Sequence, residues 1–217
     1  MTRAPTLTWS SYRQSIGDRS AMFAAIASTW DVDTALYPGC YLDLSPSAAI
    51  RSVTYLDIDP RAARYFADTE LVEAELAARP EARGDVDVRF LHADYTDPLP
   101  LDEGAFDLLI SLYAGPVWDH CRRYLRPDGL FLANASHGDA SLAALDPTLD
   151  LVAAVHHREG RYRLDTADLH RYLVPKNPAA ADAALIRRNG RGIAYTRPAF
   201  AYLFRRNAKM LAGSRAE

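Results

Sequence analysis

Two hydrophobic periods alternate along the chain from Thr34 to Ala135. Short runs of mostly apolar residues give way to stretches in which apolar positions return every three or four residues. The runs Thr34 to Tyr37, Ser52 to Asp57, Asp87 to Leu91, Phe106 to Ser111 and Leu130 to Ala133 predict five strands. Phe106 to Ser111 is nearly all apolar, as a strand covered on both faces should be. A helix is predicted from Ser10 to Trp30, with Met22, Phe23, Ile26 and Trp30 on one face. Asp59 as cap and Pro60 as first residue open a second helix, which runs through Phe66. A third spans Thr69 to Ala78, and a fourth spans Val117 to Leu125 until Pro127-Asp128-Gly129 breaks it. Cys40 to Ser47 reads as a loop. Alternation of this kind predicts an α/β domain built from βαβ units around a parallel sheet.

Beyond Ser136 the pattern changes. Leu149 to His156 predicts a sixth strand, and Glu159-Gly160 a turn. Thr166 to Leu173 reads as a short amphipathic helix, Pro175 to Ala181 as a linker, and Ala183 to Arg188 as another helix. Gly192 to Arg197 and Ala199 to Arg205 are β-rich on either side of Pro198. Residues from Asn207 onward read as a frayed tail.

Composition narrows the class. A length of 217 residues suits one domain, here with residues 1–30 as an N-terminal helical extension. The net charge of −3 argues for neither nucleic acid nor an anionic membrane as partner. Cys40 and Cys121 lie far apart without metal-ligand spacing, so no metal site and a reduced, cytoplasmic setting are expected. No apolar run approaches the ~20 residues that span a bilayer. Met1 to Thr8 lacks the basic patch and apolar run of a signal peptide.

Open parallel sheets bind ligands beyond the carboxyl ends of their strands. The candidates are therefore the polar and small residues that follow each run. Asp57 ends the second strand, where a carboxylate can accept hydrogen bonds from both hydroxyls of a ribose; its bland role is a solvated strand end. Asp94 follows the third strand, with a turn aspartate as the alternative. Tyr113 follows the fourth and either stacks on a planar substrate or packs in the core. His137 and Asp139, in Asn134-Ala-Ser-His-Gly-Asp139, follow the fifth. A histidine there can take a proton from an acceptor. Its alternative is a plain loop residue, with Asp139 capping the helix through Leu142 and Leu145. The C-terminal arginines read as a solvated sheet edge.

Three segments carry a resemblance. HADYTDPLPLDEGAFDLLIS (His92 to Ser111), CRRYLRPDGLFLANAS (Cys121 to Ser136) and VTYLDIDPRAARYF (Val53 to Phe66) resemble parts of the class I S-adenosylmethionine-dependent methyltransferases. The resemblance covers Thr34 to Ser136. It implies a Rossmann-like three-layer sandwich, with a seven-stranded, mostly parallel sheet in the order 3-2-1-4-5-7-6. The last strand, Ala199 to Arg205, would be antiparallel, and residues 161–192 would be an insertion near the pocket; its Pro- and Ala-rich composition predicts that it is more mobile than the sheet. The resemblance also implies S-adenosylmethionine as cofactor and methyl transfer to a small molecule. Asp57 would take the ribose, while Asp94 and Tyr95 would take the adenine. Tyr37, Gly39 and Ser111, at the strand ends, would complete the cofactor face, and His137 and Tyr113 would meet the acceptor.

One departure matters. The family has G-x-G-x-G after its first strand, because bare backbone passes close to the cofactor. Here the loop reads Gly39-Cys40-Tyr41-Leu42-Asp43, and only the first glycine remains. Asp43 can instead meet the cofactor's ammonium, with Ser45 and Ser47 on its carboxylate, or the loop can be closed. Two other readings therefore stand: a non-catalytic cofactor-binding or regulatory protein, and an enzyme that uses the same site for different chemistry.

Overall fold

The computed structural model describes residues 8–79 and 86–208. Eight strands form one sheet: β1 (Thr34–Pro38), β2 (Ser52–Asp57), β3 (Asp87–His92), β4 (Phe106–Ser111), β5 (Leu125–Ala133), β6 (Leu149–Arg158), β7 (Arg161–Asp165) and β8 (Ala201–Arg206). Their order is β3-β2-β1-β4-β5-β8-β6-β7. The first five strands run parallel, with Tyr37 opposite Tyr55 and Leu36 opposite Leu109. β8 lies antiparallel between β5 and β6, and β7 is antiparallel to β6. This is the sheet that the resemblance implies, with one strand more. β6 turns back at Glu159-Gly160, where both residues have positive φ, so the first residues of the expected insertion become an edge strand.

Seven α-helices lie among the described residues: α1 (Trp9–Ile16), α2 (Ser20–Trp30), α3 (Pro60–Phe66), α4 (Thr69–Ala77), α5 (Val117–Cys121), α6 (Asp139–Leu145) and α7 (Ala183–Asn189). Strand side chains alternate between two cores, as the period of two requires. Ala35, Tyr37, Val53, Tyr55, Leu108 and Ile110 face Met22, Phe23 and Ile26 of α2 and the buried side of α3 and α4. Leu36, Leu56, Leu109, Phe131 and Phe204 face Val117 and Trp118 of α5 and Ala140 and Ala143 of α6. Helix, sheet and helix make three layers.

Local differences from the pattern have tertiary causes. The helix expected from Ser10 to Trp30 is two helices, because Gly17 takes φ +79 between them. Between β1 and β2 there is no α-helix. A single 3-10 turn, Ser45–Ala48, makes the crossover, and α2 packs against it from upstream. The fourth predicted helix ends at Cys121. A 3-10 turn (Arg122–Tyr124) follows, and β5 begins at Leu125, ahead of Pro127. Thr166 to Leu173 forms only a 3-10 turn at Leu169–Arg171. Tyr172 is drawn into the core there, and its hydroxyl donates to Asp165 at 2.6 Å. Gly192 to Arg197 contributes no strand beyond one bridge, Pro175 to Tyr195. Its polar groups go to α6 instead: the Ile193 amide and Tyr195 hydroxyl meet Ser141 Oγ at 3.1 and 2.9 Å. The tail expected from Asn207 lies almost wholly outside the described residues; Asn207 itself is tied to Thr148 O at 2.8 Å.

Candidate functional site

Strand order reverses between β1 and β4, since β1 leads outward to β2 and β4 leads the other way to β5. Ligands bind at such a point in open α/β sheets. A cleft of about 400 Å³ lies there. Gly39 after β1, Asp57 and Ile58 at β2, and Asp94 to Thr96 after β3 form one side; Tyr113 to Gly115 after β4 and His137 after β5 form the other. A concavity at α7, lined by Leu185, Ile186, Asn189 and Arg191, and one on the β6–β7 hairpin, lined by His156, His157 and arginines, hold no comparable meeting of strand ends.

Gly39 makes the cleft possible. Its φ is +66, and a Cβ there would fall 2.6 Å from Ala114 Cβ, so only glycine lets the loops after β1 and β4 meet. Tyr41, which stands in place of the second glycine, is held by other means. Tyr41 also takes a positive φ, of 47, and its amide donates to Asp57 Oδ2 at 2.8 Å. Asp57 Oδ1 accepts the Asp59 amide at 2.8 Å. Each carboxylate oxygen keeps a further lone pair for a ligand. Beside it, Ile58 is 61% exposed, an apolar side chain left open at the mouth. Asp59 caps α3 by accepting from the Arg61 amide at 2.7 Å, as the sequence suggested.

Asp94 Oδ1 accepts the Thr96 amide at 2.9 Å and the Thr96 hydroxyl at 2.8 Å. These bonds hold its carboxyl below the usual range, so it is anionic at neutral pH. Tyr95 donates its hydroxyl to Gly115 O at 3.2 Å and thereby joins the β3 and β4 sides. Tyr113 is half exposed at φ +63, and the Arg19 guanidinium sits 5.1 Å from its ring centre. It belongs to the cleft rather than the core.

The hydrogens around His137 can be counted. Asn134 Oδ1 accepts from the Tyr113 amide, the Ser136 amide and the Ser136 hydroxyl, the last at 2.7 Å. The single Ser136 hydroxyl hydrogen is thereby used. His137 Nδ1, 2.9 Å from Ser136 Oγ, must then donate. In the neutral ring this leaves Nε2 as the unprotonated nitrogen.

Three predicted site residues lie elsewhere. Tyr37 and Asp43 belong to a closed cluster. Asp43 Oδ2 accepts from Arg19 at 2.9 Å and from the Tyr37 hydroxyl at 3.2 Å, and all three residues are buried. Asp43 is therefore not offered to a ligand ammonium. Ser45 and Ser47 are buried too, and Ser47 Oγ is 2.7 Å from the Tyr55 hydroxyl. Ser111 lies behind the cleft, bonded to Asp139 at 2.5 Å. Asp139 does not cap its own helix. Its carboxylate accepts the Val117 amide at 2.8 Å and so caps α5. Ile58, Thr96 and Arg19 were not singled out from the sequence, whereas Ala114 and Gly115 fall among the small residues expected after the fourth strand. Of the first three, only Ile58, an apolar residue between two strand-end acids, carried a legible signal.

No protein-family model matches the chain, and no curated protein matches it in sequence. Solved structures resemble its architecture. A candidate O-methyltransferase from Klebsiella pneumoniae is 13% identical, with 88% of this chain and 81% of that one covered, at a TM-score of 0.49. An S-adenosylmethionine-dependent O-methyltransferase from Thermotoga maritima is 15% identical over 86% of this chain and 65% of its own, at 0.46. A tRNA methyltransferase from Aquifex aeolicus is 14% identical over 95% and 72%, at 0.42.

Proposed function

We propose that the cleft binds S-adenosylmethionine and that the protein transfers its methyl group to a small-molecule acceptor. The observation that carries this reading is the charge of the cleft. Two carboxylates, Asp57 and Asp94, stand at neighbouring strand ends, and no arginine or lysine is among the described residues that line it. Such a surface repels the phosphates of a dinucleotide and suits a nucleoside that bears a sulfonium. The cleft volume lies in the range of small-ligand sites.

The residues present fit the nucleoside half of the cofactor. Asp57 has lone pairs for the ribose hydroxyls, Ile58 offers an apolar face to the base, and Asp94 with Tyr95 stands where the base edge would be read. Gly39 admits a ligand beside bare backbone. Asp43, held by Arg19, takes no part. When bound, the cofactor supplies an electrophilic methyl group. The chain's own work is alignment and proton removal. His137 Nε2 can accept the acceptor's proton, and Tyr113 can stack on a planar acceptor. Residues of the segment 161–192 support the loop after β5 that carries His137. A Cβ on Gly138 would lie 3.0 Å from Ile186 Cγ2, and the Gly192 amide reaches Ala135 O at 3.1 Å.

A second reading, binding without turnover, draws on the closed Arg19–Asp43 cluster, where the family has open glycine backbone. Titration calorimetry with S-adenosylmethionine and S-adenosylhomocysteine tests both. Heat and a thermal shift with either compound are expected. Their absence at about millimolar ligand, far above an enzyme's usual affinity, would overturn the proposal. Binding with no methyl transfer to any acceptor in a broad panel would favour the second reading.

A further inference from the structure

Behind the cleft wall, one hydrogen serves two acceptors. Ser111 Oγ at the end of β4 lies 3.1 Å from Ala114 O and 2.5 Å from Asp139 Oδ2. A hydroxyl has a single hydrogen, so an ionised Asp139 and Ala114 O cannot both receive it. A proton on Asp139 resolves the conflict. Oδ2 then carries the proton and donates to Ser111 Oγ, the Ser111 hydrogen turns to Ala114 O, and the same oxygen, now a hydroxyl, still accepts the Val117 amide at 2.8 Å. When that proton leaves for solvent, the Ser111 hydrogen turns to the carboxylate and Ala114 O loses its donor.

We propose that Asp139 is a positioning residue whose proton, passed through Ser111, pins the Ala114–Gly115 wall of the cleft. The wall is well placed to report the change. A Cβ on Gly39 would lie 2.6 Å from Ala114 Cβ, Gly115 O accepts the Tyr95 hydroxyl, and a Cβ on Gly115 would lie 3.1 Å from His137 Cβ and 3.5 Å from Asp139 Oδ2. Asp139 is fully buried, and burial pushes its carboxyl up to about 6, against the bonds from Ser111 and Val117. The groups that face it do not supply a compensating charge at close range. Asp119 on α5 repels its anion, Cys121 and Tyr95 are neutral, and Arg187 on α7 is already paired with Asp119. His137, two residues upstream, faces Gly115.

The ligand consequence rests on the cofactor reading above; the proton switch itself does not. In the free protein, nitrogen-15 NMR between pH about 5 and about 8 should show the Val117 and Gly115 amides titrating together, since one donates to the carboxyl and the other shares its peptide unit with the Ala114 carbonyl. Asp139→Asn should flatten both, because an amide side chain does not titrate in this range. Ser111→Ala should keep the Val117 response and abolish that of Gly115. A flat Val117 resonance in the wild type, or a Gly115 response that survives Ser111→Ala, would overturn the proposal. With S-adenosylhomocysteine, wild-type affinity should fall about fivefold across the same range, the worth of one hydrogen bond. Asp139→Asn should show one affinity throughout; a variant as pH-dependent as the wild type would count against the link. Absence of binding at every pH would defeat the cofactor reading and leave the NMR result standing.

Discussion

At the level of single residues, glycine and histidine carry different kinds of necessity. Gly39→Ala must place a methyl group 2.6 Å from Ala114 and hold a positive φ. We expect a loss of about 1–3 kcal/mol of stability together with a weaker cleft, read by urea midpoint and by calorimetry. A variant as stable as the wild type would mean that the two loops can part. His137→Ala touches no core contact. If Nε2 takes the acceptor's proton, cofactor affinity should hold while turnover falls roughly 10²–10⁴-fold. Joint loss of thermal stability and affinity would make the residue part of the scaffold. Asp57→Ala should weaken cofactor binding by roughly 1.5–3 kcal/mol. Since Asp57 also holds the Tyr41 amide, Asp57→Asn, which keeps one acceptor oxygen, is the control for loop damage. Asp57 was legible in the sequence as a strand-end acid. Its bond to Tyr41 was not, because the partner lies sixteen residues upstream in a loop with no periodic pattern.

Between elements, buried charge ties the N-terminal helices to the loop after β1. Arg19, at the start of α2, and Asp43 are 3% and 1% exposed in their side chains. Removing one partner leaves the other buried and unpaired. Arg19→Met alone should cost roughly 3–5 kcal/mol, and the double variant with Asp43→Leu should recover much of that loss. Chemical denaturation of the two singles and the double measures the coupling; additive losses would show that the pair is not a unit. Arg187 joins α7 to α5 through two bonds to Asp119, of 2.6 and 2.8 Å. Those bonds hold Asp119 below the usual carboxylate range. Breaking them with Arg187→Ala should raise hydrogen exchange in α7 while β4 stays slow. Equal, slow exchange in both would mean that the segment does not move as a lid.

For the molecule as a whole, the buried acid sets a pH dependence of unusual sign. Asp139 keeps its proton up to about 6 in the fold and has an ordinary value of 3.8. Unfolding therefore releases a proton between those values. Stability falls as the pH rises through that window, by about 3 kcal/mol at most. Asp119 contributes in the opposite sense, since its lowered value gives stability above the usual carboxylate range that is lost as the pH falls. Comparing wild type with Asp139→Asn at pH about 4 and about 7 isolates the first effect, and the variant should gain on the wild type at the higher pH. The same difference at both values would refute it.

Short-range chemistry explains what could be read in advance. The starts of the first four strands, the Asp59-Pro60 helix opening and the Glu159-Gly160 turn depend on neighbours within a few residues, so apolar period and backbone preference suffice to find them. Strand order came with the family resemblance, and with it the layer of strand ends that holds Asp57, Asp94, Tyr95, Tyr113 and His137. Long-range contact decided the remainder. Asp43 reads as a ligand residue until Arg19 from another helix meets it, and Asp139 reads as the cap of its own helix until folding brings the start of α5 to its carboxylate. A buried carboxylate must find donors wherever the fold supplies them. Which donors those are depends on partners that sequence spacing does not place.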